Sequence, residues 1–84
     1  MQDEHLDHAL EGEFSGHGEA IHRLKIRDPA FKGLLEMNHH IWREIRNIEN
    51  GVTAASDDRL TSLRKQRLHI LDDIAKLVAA EEAP

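Results

Sequence analysis

The chain has no cysteine and no tyrosine, and only one tryptophan, two phenylalanines and two prolines among its 84 residues. Without cysteine, neither a disulfide nor a thiolate-held metal can staple so short a chain. A domain of this size buries only a modest fraction of its surface. Association with other chains is the remaining common source of stability. No apolar run approaches the ~20 residues needed to span a bilayer. The opening MQDEHLDHAL is acidic, unlike a secretory signal or a transit peptide. A soluble, cytoplasmic protein without a membrane partner is expected.

Basic residues are missing from the first stretch. Residues 1–20 contain Asp3, Glu4, Asp7, Glu11, Glu13 and Glu19 with no Lys or Arg, whereas the rest holds 11 basic and 10 acidic groups. An acidic arm therefore precedes a near-neutral domain. Neither part carries the basic stripe that phosphate binding demands, so nucleic acid is not an expected partner. Residues 1–18 read as a partly flexible arm, because Gly12, Gly16 and Gly18 interrupt the helical spacing of Leu6, Ala9 and Leu10.

What is present is helical periodicity. EAIHRLKIR reads as a short helix over about 19–27, with Ile21 and Leu24 three apart; the alternation R-L-K-I-R allows a strand instead. At DPAF, Asp28 can cap a new helix and Pro29 suits its first position, having no N–H to leave unpaired. Apolar seats then recur in steps of three and four at Phe31, Leu34, Ile41, Ile45 and Ile48, with Asn38 in the remaining seat. Asn50 or Gly51 can close this helix, over about 29–49. Ser56 or Asp57 can open the next, over about 57–80, whose seats are Leu60, Leu63, Arg67, Ile70, Ile74 and Leu77. Residues 81–84 are a tail.

Folding about Ala54 sets Ile48 opposite Leu60, Ile45 opposite Leu63, Ile41 opposite Arg67, Asn38 opposite Ile70, Leu34 opposite Ile74 and Phe31 opposite Leu77. The expected fold is all-α: an antiparallel, coiled-coil-like two-helix hairpin over 19–80, counting the short helix before it. Leu35, Trp42, Leu68, Leu71 and Val78 widen the seam on one side. An apolar surface of that extent calls for a partner. The hairpin is therefore expected to self-associate into a four-helix bundle or a larger homo-oligomer; the alternative is that Phe14, Ile21 and Leu24 fold back over the surface. Asn38 could fix the register of such an assembly by pairing with its symmetry mate. Arg67 could keep its stem in the seam while reaching a carboxylate such as Glu44.

Three segments, HRLKIRDPAF, LLEMNHHIWREIRNIE and LRKQRLHILDDIAKLV, carry a family likeness. With Arg23-Leu24-Lys25, Asp28, Phe31, Lys65-Gln66-Arg67-Leu68 and Asp72-Asp73-Ile74 at matching positions, the chain resembles the YdcH-like proteins, small bacterial proteins without an established function. The likeness runs from about Phe14 to Glu49 and resumes to about Val78. It departs at Asn38, where the family usually has His, and at Trp42, where it usually has Asp; residues 1–13 lie outside the pattern. The resemblance implies a helical hairpin in a bacterial cell interior, and no activity.

Chemistry has fewer supports. Glu36 and His39 show the Glu-x-x-His spacing of carboxylate-bridged di-iron helices, but both fall outside the seam, where ligands of a bundle core would not sit. His39 or His40 could approach His69, and His5 and His8 stand three apart among Asp3, Glu4 and Asp7. A metal-binding protein using these surface residues is the alternative function. No catalytic residues and no cofactor are expected. The leading expectation is a non-enzymatic scaffold or regulatory adaptor that acts through protein–protein contacts, with an unknown protein partner.

Overall fold

A computed structural model describes Leu6, His8–Leu10 and residues 12–84. Three helices account for most of them, α1 Gly18–Arg27, α2 Pro29–Glu49 and α3 Asp57–Glu82, and no strand occurs among the described residues. The alternating stretch at Arg23–Arg27 is helical.

One residue separates α1 from α2. Asp28 has an extended backbone, as a residue before proline prefers, and its N–H closes α1 by donating to the Leu24 carbonyl at 2.8 Å. Its carboxylate opens α2 by accepting from the Ala30 and Phe31 N–H groups at 3.0 and 3.3 Å. Pro29 occupies the first helical position. At the other end of α2, Gly51 takes the left-handed conformation with φ +77°. The Gly51 N–H then reaches the Ile48 carbonyl at 3.1 Å, and the Val52 N–H reaches that of Asn47 at 2.8 Å. These are the two bonds of a Schellman closure. Ser56 caps α3 by accepting from the Arg59 N–H at 3.1 Å, with Asp57 and Asp58 at the positive end of the helix dipole.

α2 and α3 pack along one another, and α1 packs on both. Arg59 meets Glu44 and Arg64 meets Glu49, at 2.9 and 2.8 Å, where the end of α2 lies beside the start of α3. At the far end of α3, Glu81 takes Arg23 at 2.8 Å and also Arg27, while His17 reaches Glu82 at 2.7 Å. These pairs explain why α3 continues to Glu82, past the point in AAEEAP where sequence alone suggests fraying.

The core gathers seats from all parts of the chain. Phe31, Ile41, Ile45, Leu63, Ile70 and Ile74 are buried, and Leu34, Ile48, Leu60 and Leu77 pack against them partly exposed. Leu35, Leu71 and Val78 belong to the same cluster, together with Leu6, Leu10, Ala20, Ile21 and Leu24. Apart from Leu68, which stays exposed, and Trp42 in part, the widened side is thus covered from within. The arm and α1 lie on it, which is the fold-back alternative with Leu6 and Leu10 added to Ile21 and Leu24.

Hydrogen bonds from Arg27 and then Arg23 hold the Glu81 carboxyl below its ordinary value of 4.5. A carboxyl that is more acidic folded than unfolded adds stability above its unfolded pKa, and loses it as pH falls through the folded one. Glu81→Gln is therefore expected to make the loss of melting temperature below about pH 4.5 shallower. Melts followed by circular dichroism from pH 7 to pH 3 test this; parallel curves for the two proteins would count against a paired Glu81.

Candidate functional site

The two polar seats of the seam meet at one atom. Asn38 is fully buried, and its amide donates to the carbonyl of Ala9 at 3.3 Å. Arg67 donates to the same oxygen at 2.8 Å and meets the Glu13 carboxylate at 3.2 Å. Both therefore grip the arm of their own chain. Within the chain Asn38 thus has a main-chain acceptor, and Arg67 takes Glu13 where Glu44 was expected, Glu44 being engaged by Arg59. Nothing in the spacing of DEHLDHAL signals a captured carbonyl, since every residue has one.

Trp42 borders this latch. Its ring lies 5.5 Å from the His8 ring and 5.9 Å from that of His39, centroid to centroid, with the Arg46 guanidinium 5.6 Å from its centroid. Cations favour the face of an indole ring, so Arg46 is held there. Beside Trp42 a groove of about 350 Å³ runs between α2 and α3. Trp42, Ile45, Leu68 and Leu71 line its apolar part; Arg46, Arg64, Arg67 and Glu49 form its charged part. Leu68 is 61% exposed, against 7% for Leu71.

The seven residues assigned to an oligomer interface thus divide. Leu35, Asn38, Leu71 and Val78 are buried inside the chain, and Arg67 is largely covered by its contacts with the arm. Only Trp42, in part, and Leu68 remain open. α1 and the arm supply the apolar cover at the buried positions. A second groove, of about 440 Å³, lies beside Met37, Ile41 and Leu63, and its rim charges Glu44 and Arg59 already neutralise one another.

Among the described residues, the candidate metal ligands do not converge. Glu36 and His69 are exposed, His40 is exposed with its Nε2 3.5 Å from Glu44, and His39 stacks on Trp42. His8 also lies against the Trp42 ring, and His5, Asp3, Glu4 and Asp7 fall outside the described residues. Among the described residues no group of three His, Asp or Glu is placed to hold a metal ion. None of the described helices is long and apolar enough to cross a membrane.

Neither curated proteins nor solved structures yield a match to this chain. A family model does match, that of a protein family of unknown function named DUF465, over residues 31–78. This stretch holds all of the hairpin seats from Phe31 to Leu77 and both polar seats, and leaves out the arm and α1. The chain belongs to the DUF465 family, which includes the YdcH-like proteins and has no established function.

Proposed function

We propose that the protein acts by association rather than catalysis, as a small helical scaffold in which α2 and α3 form an antiparallel, coiled-coil-like hairpin. In this reading it is a homo-oligomer whose contact is the α3 surface around Leu68, beside the Trp42 groove. The observation that carries it is Leu68 itself, a large aliphatic side chain 61% exposed on the wall of a groove that is half apolar and half charged. Burying one such side chain against another is worth about 1.5–3 kcal/mol, a useful anchor at the centre of a small interface. The copy on the other side is favoured because α3 carries opposite charges on the two sides of Leu68.

Sedimentation equilibrium of the full chain over a wide concentration range tests this. A mass rising above the 9.6 kDa of one chain is expected, and Leu68→Gln should return it to that value with unchanged helicity. A wild-type chain that stays monomeric throughout would overturn the reading.

A further inference from the structure

The geometry points to a two-fold, self-complementary interface in which α3 of one copy lies antiparallel on α3 of the other, with the axis at Leu68 and Arg64 and Lys65 facing the partner's Asp72. This rests on the self-association just proposed, and adds to it a register and an orientation.

The exposed face of α3 is ordered around its one large apolar residue. Arg64 and Lys65 precede Leu68 by four and three positions, and Asp72 follows it by four, so all share a face with it. Lys65 and Asp72 are exposed and form no ion pair among the described residues. Arg64 is tied to Glu49 at 2.8 Å, which offsets its charge and leaves Lys65 as the uncompensated cation of this side.

A two-fold axis at Leu68 reverses the direction of the second helix, as an isologous contact requires. Each Leu68 then meets its counterpart. With ~1.5 Å of rise per residue, Asp72 of one copy lies level with Arg64 of the other and about 1.5 Å along the axis from Lys65. Both ends of the contact pair opposite charges, and they do so twice. A parallel arrangement in the same register sets Lys65 on Lys65 and Asp72 on Asp72, so like charges oppose it. Thr61 and Ala75, the next residues on this face, are small and exposed, and they face one another in the antiparallel register. Neither side chain is large enough to hold the two helices apart at these positions.

The test uses two surface substitutions, Lys65→Glu and Asp72→Lys, in the full chain. Each alone sets like charges across the axis and is expected to weaken self-association at least about tenfold. An equimolar mixture restores opposite charges at the altered positions, so association should return in the mixture, as heterodimers visible when one variant carries a mass tag. That recovery also shows both variants to be folded. Wild-type association with unaffected single variants, or with a mixture that stays monomeric, would overturn the register and leave the self-association standing. A monomeric wild-type chain would overturn both.

Discussion

Phe31→Ala is expected to remove about 3–5 kcal/mol of folding stability, the usual cost of emptying a fully buried aromatic site. Phe31 is 0% exposed and lies in the first turn of α2, directly behind the Asp28 cap. Its cluster includes Leu24 of α1, Leu35 of α2, and Ile74 and Val78 of α3, so the cavity would open among all three helices. Domains have about 0.05–0.15 kcal/mol of stability per residue, or roughly 4–13 kcal/mol for a chain of this length. The loss is therefore a large fraction of the total, and all of it at the lower end of that range, so the variant should melt far below the parent. Urea titration at 25 °C followed by circular dichroism measures it. Ile26→Ala is the control: Ile26 is on α1 and 73% exposed, so its removal should change stability little. Equal effects of the two would contradict the described core.

Deleting residues 1–13 should turn the protein into an aggregating species. The deletion removes Leu6, Ala9 and Leu10 from the core, uncovering the surface shared by Leu35 and Leu71. It also removes Asp3, Glu4, Asp7, Glu11 and Glu13 and no basic residue, taking the formal net charge from −5 to 0. Newly exposed apolar surface and vanishing net charge both favour association. The truncated Asn38 and Arg67 lose the Ala9 carbonyl as well, leaving buried donors to find water. Light scattering at equal mass concentration should show large, polydisperse particles for the truncated chain. Such particles differ from the defined assembly proposed for the full chain. A truncated protein that remains small and monodisperse would mean that the arm contributes little cover.

The helical content was legible because its signals are local. Asp28 before Pro29, Gly51 after α2 and Ser56 before α3 each act through groups within a few residues, and the steps of three and four from Phe31 to Ile48 and from Leu60 to Leu77 mark the faces that need burial. The cover of the widened side was not legible. Leu6, Ala9 and Leu10 are too few to dominate an acidic, glycine-interrupted stretch, and their burial depends on a surface built from residues far along the chain. The same distance hid the latch. Asn38 and Arg67 announced themselves as polar groups in apolar seats, but a main-chain acceptor leaves no mark in a sequence. The spacing of Leu68 groups it with Leu35, Leu71 and Val78, and only the folded chain separates them, burying those three and leaving Leu68 exposed.

The shared grip on the Ala9 oxygen has a consequence for inheritance. The family match begins at Phe31, and the arm lies before it. Asn38 reaches back 29 positions to an arm that lies outside the matched stretch. The amide has an acceptor only while the arm is in place, and the arm's carbonyl is held in part by the amide. A change at position 38 and the gain or loss of the first ten residues are therefore not independent events. Each alters what the other is worth.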